Sequence, residues 1–203
     1  MHIEFLVEEP SAEVTLNNLV PKIVGPEISY NIHVFQGKPD LMKSLQIRLR
    51  GYRSWLPDNW RIVVLIDEDR EGCLKLKEQL EKIAKDEGLI TRSVAGPGGS
   101  FQVINRLAIE ELEAWFFGDI TALRTAYPKV PKGIDRRRHY RNPDAIQGGT
   151  WQALERVLIN AGYYRGGLPK KEAALKISEH MDPTRNTSKS FQVFRNALQE
   201  LVS

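Results

Sequence analysis

The stretch RIVVLIDEDREG, residues 61–72, decides the fold. Its apolar run from Ile62 to Ile66 is unbroken, which means burial on both faces and marks a central parallel strand covered by helices. The run ends in Asp67, Glu68 and Asp69, and nothing about a strand requires so much negative charge at its end. In a parallel α/β sheet, ligands bind beyond the carboxyl ends of the strands, where the chain turns into helices. The acids therefore stand where a ligand site is expected.

Working outward, HIEFLVE (2–8) reads as a strand, followed by Ala12, Leu16, Leu19, Val20 and Ile23 at helical spacing, with Ser11 placed to cap. Pro21 should kink or stop that helix. SYNIHVFQ (29–36) is a second strand. Asp40–Trp55 is a helix bearing Arg48, Arg50 and Arg53, and after the third strand a long helix carries the stripe Leu76, Leu80 and Ile83. LITRSVA (89–95) reads as a fourth strand, giving the order β-α-β-α-β-α-β. Beyond Gly96-Pro97-Gly98-Gly99, Gln102–Ile109 is a candidate fifth strand and Glu110–Phe117 a short helix, with Asp119 capping another that ends near Tyr127. Residues 128–148 form a loop or linker, and three helices follow: Trp151–Ala161, Lys170–Met181 opened by Pro169, and Ser190–Val202. The expected organisation is an α/β domain over 1–127, a basic loop over 128–148, and C-terminal helices over 149–203 packed on the same domain.

The 203 residues are 41% hydrophobic and 27% charged, an ordinary globular composition. No stretch approaches the roughly 18 apolar residues of a membrane span, and MHIEFLVEE carries acids where a signal peptide carries basic residues, so the expectation is a cytoplasmic protein. The one cysteine, Cys73, expected in the core, rules out an internal disulfide and a Cys-rich zinc site. None of the four histidines forms metal-like spacing with another. Metal chemistry would run on carboxylates, which points to hard cations. From Lys129 to Arg141 the local charge is +5 against +3 for the whole chain, so the remainder is −2. Lys129, Lys132, Arg136, Arg137, Arg138 and Arg141, with His139 and Tyr140 among them, make a candidate nucleic-acid-binding patch. A solvated loop would look the same.

Two strands end in acid, the first at Glu8 and Glu9, the third at Asp67–Asp69. If they are neighbours, the carboxylates repel one another unless a positive charge sits between them. A divalent cation such as Mg²⁺ would serve, since it takes oxygen ligands and keeps several waters. Alternation points Asp67 and Asp69 one way and Glu68 another. A D-x-D at a strand-to-helix turn is also a common helix cap.

The stretches FLVEEPSAE and VVLIDEDREG resemble the two acidic motifs of the Toprim fold, in which a Glu closes the first strand in a V-E-G context and a D-x-D closes the third. Glu9 stands where Gly is usual, leaving open whether Glu8 or Glu9 is the functional acid. IEELEAWFFGD (109–119), LPKKEAALKI (168–177) and SKSFQVF (188–194) are similar to a narrower group, the Toprim-related domain of unknown function family 4276. Its better-understood relatives are nucleases of the overcoming-lysogenization-defect type, which often act beside an ATPase in anti-phage defence. The resemblance implies an α/β, Toprim-like (Rossmann-like), mostly parallel sheet flanked by helices, with a helical C-terminal extension. It implies Glu8 as general acid/base or metal ligand and Asp67 and Asp69 as ligands for Mg²⁺ or Mn²⁺. Further acids would come from Glu13, Glu111 and Glu113, and a lysine from Lys170 or Lys171.

Each has a structural alternative: Glu13 suits a helix first turn, and acids beside Trp115, Phe116 and Phe117 often face solvent. Lysines at a helix start oppose its dipole, which favours a functional reading of Lys170 and Lys171. GPGG lacks the Lys and Ser/Thr of a P-loop and reads more simply as a turn. The function expected is metal-dependent phosphodiester hydrolysis of DNA or RNA. The basic patch and the Arg48–Arg53 helix face would hold the backbone. The alternative is a catalytically silent subunit that binds nucleic acid or docks on an ATPase, since the chain has no Walker motif of its own. Topoisomerase chemistry needs a strand-attacking tyrosine in a large extra domain. A receiver-like phosphoacceptor would be shorter and lack the basic and helical tail.

Overall fold

The computed structural model of the protein describes residues 1–164 and 166–202. The chain divides into two compact units, each discontinuous in sequence: Met1–Glu9 with Pro26–Leu107, and Pro10–Gly25 with Ala108–Ser203. A division at 127 and 148 does not anticipate this, because the first helix belongs with the C-terminal ones.

The first unit contains β1 (His2–Val7), β2 (Ser29–Val34), β3 (Trp60–Asp67) and the start of β4 (Val103–Ala108), in one all-parallel sheet of order β2-β1-β3-β4. β1 and β3 are the central strands. Five of the six residues of β1 and the whole of Ile62–Ile66 are buried, as their unbroken apolar character requires. One side chain set, Leu6, Ile62, Val64 and Ile66, packs with Leu41, Leu45 and Leu49 of α2 (Lys38–Trp55) and Leu76, Leu80 and Ala84 of α3 (Cys73–Asp86). These helical positions recur at four-residue intervals, so each helix turns a single apolar stripe to the sheet.

The segment 89–95 is not a strand. Only Leu89 and Thr91 bury, Thr91 makes one isolated parallel bridge to Val103, and the chain then turns through α4 (Arg92–Ala95) with Ile90 and Val94 exposed. The fourth strand is the segment expected as the fifth. Cys73 is exposed rather than in the core. It opens α3 one turn before Leu76, ahead of the stripe that meets the sheet.

The second unit is helical: α1 (Pro10–Val24), α5 (Glu113–Gly118), α6 (Ile120–Ala126), two 3₁₀ turns (Ile134–Arg136 and Pro143–Ala145), α7 (Thr150–Asn160), α8 (Lys170–His180) and α9 (Lys189–Gln199). α1 begins at Pro10, where a missing N–H costs nothing, so Ser11 lies inside the helix instead of capping it. It also runs a full turn past Pro21, closing with Gly25 N–H on the Pro21 carbonyl at 3.1 Å. Burial of Leu19, Val20, Ile23 and Val24 offsets the roughly 3 kcal/mol an internal proline costs. α1 packs on α8, where Asn18 Nδ2 donates to Ser178 Oγ at 2.8 Å. Lys22 Nζ donates to the carbonyls of Ser178, Glu179 and Met181, closing the electronegative end of α8.

The motifs 109–119 and 188–194 interlock around Trp115, whose ring lies 5.2 Å from Phe191 and 5.0 Å from Phe194 and whose Nε1 donates to Ser190 Oγ. Asp119 caps α6 by accepting from Ala122 N–H, as expected, and also accepts from Asp182 N–H and Arg185 Nε. Gly118 is required by close approach: a Cβ there would fall 2.0 Å from Asn186 Oδ1. Among the described residues no helix is long and apolar enough to cross a membrane.

Candidate functional site

β1 and β3 are hydrogen-bonded neighbours, and the pairing of Val7 with Leu65 carries Glu8 to the level of Ile66 and Asp67 at the carboxyl rim. Glu8 Oε2 accepts the Asp67 backbone N–H at 3.3 Å. Burial pushes the Glu8 carboxyl above its ordinary pKa, and the negative charges of Asp69 and Glu9 push the same way. The Asp67 N–H and the Lys38 ammonium oppose the shift.

Glu68 is buried and turns into its own loop, where Oε2 accepts Arg70 N–H at 3.0 Å and Oε1 accepts Gly72 N–H at 2.8 Å. That internal clamp holds Asp69 (φ 50°) and Arg70 (φ 63°) in the left-handed region. Such backbone is unfavourable for a residue like arginine and clusters at functional loops.

The charge that answers these acids is a lysine. Lys38, the first residue of α2, is buried; its Nζ lies 2.8 Å from Asp69 Oδ2 and 3.0 Å from Glu71 Oε1, and it donates to the Glu68 carbonyl at 3.4 Å. Burial works against its charge, but the hydrogen bonds it donates to Asp69 and Glu71 outweigh it and raise the Lys38 pKa. Gly37 (φ 88°) lets the chain double back from β2 so that its N–H reaches the Glu8 carbonyl at 3.0 Å, setting Lys38 beside the rim. Sequence reasoning passed over Lys38 and Glu68. The signal for Lys38 was the one applied to Lys170 and Lys171, a cation at the unfavourable start of a helix.

Among the described residues, no three His, Cys, Asp or Glu side chains converge to hold a metal ion. Glu8 and Asp67 are adjacent, whereas Asp69 is engaged by Lys38. The donor set is nonetheless all oxygen and partly desolvated, the chemistry a hard cation takes, and Mg²⁺ commonly uses only one or two carboxylates.

The other expected site residues belong to the second unit. Glu13 lies in the first turn of α1, with Lys171 Nζ 3.5 Å from its Oε2 across partly exposed surface. Glu111 Oε2 accepts Thr150 Oγ1 at 2.9 Å and Trp151 N–H at 2.8 Å, tying down the start of α7. Glu113 is buried beside Trp115, not turned to solvent. Lys170 Nζ stands 5.1 Å from the Trp151 ring centroid.

The basic run is exposed as a patch should be. Lys132, Arg136, Arg137 and Arg138 are open, Arg141 reaches the Arg136 carbonyl, Lys129 lies over Tyr163, and Tyr140 stacks on Phe117 at 5.3 Å. In α2, Arg50 pairs with Glu87, Arg53 donates to the Glu87 carbonyl and Arg48 lies 5.8 Å from the Phe35 ring centroid, so all three arginines make contacts within the unit. The GPGG segment is a turn closed by Gly99 N–H on the Gly96 carbonyl.

Compared with known families, residues 7–199 match one described as domain of unknown function (DUF4276). No curated protein matches the chain. No solved structure does.

Proposed function

The chain belongs to the domain of unknown function (DUF4276) family, a description that names no activity, and we propose from the acidic rim that it is a divalent-metal-dependent phosphodiesterase of Toprim-like type acting on DNA or RNA. One observation carries the reading: the Glu8 carboxylate just past the first strand accepts the backbone N–H of the aspartate closing the neighbouring third strand, at the rim where α/β sheets bind ligands. Asp67 and Asp69 would hold Mg²⁺ or Mn²⁺, which when bound would polarise water and the scissile phosphate. Glu8, whose carboxyl takes a proton more readily than an exposed glutamate, would move the proton. Lys38 would offset charge growing on the phosphate oxygens, the role that the Toprim resemblance gives to Lys170 or Lys171. The patch Lys129–Arg141 would grip the backbone, and an ATPase partner in anti-phage defence remains part of the proposal.

A second reading, a catalytically silent nucleic-acid-binding or ATPase-docking subunit, is favoured by the ion pair that holds Asp69 against Lys38. Labelled single- and double-stranded DNA and RNA, incubated with Mn²⁺, Mg²⁺ or chelator, separate the two. The hydrolase reading expects metal-dependent cleavage by the wild type and none by Asp67→Asn of unchanged circular dichroism. Equal cleavage by both proteins refutes the assignment, and backbone binding without cleavage supports the silent subunit.

A further inference from the structure

Glu4 lies in the middle of β1 and is only 3% exposed, in a groove between β2 and α2. The pairing of Glu4 with Asn31 brings together side chains far apart in sequence. Glu4 Oε1 accepts from His2 Nε2 at 2.8 Å and Asn31 Nδ2 at 3.1 Å. Oε2 accepts from Tyr52 Oη at 2.9 Å and from His33 Nε2. Burial works against the charge of Glu4, yet these donors outweigh it and hold its pKa below the ordinary value.

Four donors saturate the carboxylate, so its effect is to orient its neighbours. In its neutral form with Nε2–H given to Glu4, His33 leaves Nδ1 as an acceptor, and with Nδ2 given to Glu4, Asn31 leaves Oδ1 as another. Neither atom has a hydrogen-bond partner among the described residues. Above them is a cavity of about 300 Å³, walled by α2 through Ile47, Arg48, Gly51 and Trp55. Arg48, Tyr52 and Trp55 share one face of the helix by their three- and four-residue spacing. Trp55 is 54% exposed, yet its ring is braced 5.4 Å from Tyr52 and 5.5 Å from Trp60. Gly51, one turn earlier, leaves the space beside that ring open. The groove thus combines an exposed aromatic platform, two acceptors and the Arg48 guanidinium, which lies 5.8 Å from the Phe35 ring centroid.

We propose that this groove binds a nucleobase, stacked on Trp55 with its amino donors directed to His33 Nδ1 and Asn31 Oδ1, while Arg48 meets the attached phosphate. Stacking on an aromatic side chain is the common means of holding an unpaired base, and the cavity is of small-ligand size. The base can come from a free nucleotide or from a single strand. Glu8 follows the end of β1 four residues after Glu4, about 13 Å at the usual rise, so the site stands apart from the acidic rim and does not depend on its chemistry.

The test is calorimetric titration of the full chain with AMP, with UMP, and with a short single-stranded oligoadenylate. The expected result is saturable binding of AMP or the oligomer, favouring the amino-bearing base over uracil. Arg48→Gln and Trp55→Ala should each weaken it about tenfold, equivalent to ~1.4 kcal/mol. AMP binding identifies a free nucleotide as sufficient, whereas binding of the oligomer alone assigns the base to a strand. Arg48 is exposed, so its variant keeps the test decisive if Trp55→Ala unfolds. Absence of saturable binding with every probe, or equal affinity in wild type and Arg48→Gln, overturns the proposal.

Discussion

Replacing Lys38 by methionine isolates the charge balance of the rim, because methionine keeps most of the buried stem and removes only the ammonium. Its side chain is 9% exposed, whereas those of its partners Asp69 and Glu71 are 40% and 50% exposed. Breaking a fully buried ion pair costs about 3–5 kcal/mol and an exposed one at most about 1. The half-solvated acids here place the loss between those limits, at about 1–2 kcal/mol. For a chain of this size that lowers the melting midpoint by roughly 3–6 °C, measured by circular dichroism at low salt with chelator present. Without the ammonium, Asp69 and Glu71 lose their counter-charge and Glu8 loses a compensating one, so Mn²⁺ should raise the midpoint of Lys38→Met more than that of the wild type. An unchanged midpoint in chelator, or an identical Mn²⁺ response in both proteins, would refute the reasoning.

Gly118→Ala should be among the most damaging small substitutions, costing about 3 kcal/mol or more through lost hydrogen bonds and overpacking, because its Cβ would drive Asn186 off the Trp115 carbonyl and the Ser188 N–H. Urea unfolding checks it, and a loss under 1 kcal/mol contradicts it. If Arg136, Arg137 and Arg138 each neutralise a phosphate, their joint replacement by alanine lowers the salt slope of polynucleotide binding by about 2.7, and an unchanged slope removes them from the contact. Because the Glu4 pKa is depressed, its stabilising effect is full above the ordinary value of 4.5 and is lost as pH falls through the folded-state value. Urea midpoints taken downward from neutral pH should show that loss in the wild type and a shallower one in Glu4→Gln.

The central strands were legible because burial on both faces forces an unbroken apolar run, as in Ile62–Ile66, and the helices because Leu76 and Leu80 or Phe191 and Phe194 recur at helical spacing. Residues 89–95 misled because apolar content alone does not require pairing: Ile90 and Val94 stay exposed. The grouping of α1 with the C-terminal helices rests on contacts such as Lys22 to the end of α8, which no local pattern records. At the rim, the acids were visible as strand ends, but their partner was not. Lys38 reaches Asp69 across 31 residues of chain, and His2, His33 and Tyr52 meet Glu4 only through strand register and helix packing. Glu111 anchors the start of α7, a role that an acid offered as a cation ligand does not reveal in sequence.

The central claim is that Glu8, Asp67 and Asp69 take a divalent cation at one edge of the sheet. A crystal soaked in Mn²⁺ tests it directly: the account predicts an anomalous peak beside Asp67 that disappears in Asp67→Asn crystals. Full-occupancy density elsewhere with none at that edge, under the same soak, would contradict it.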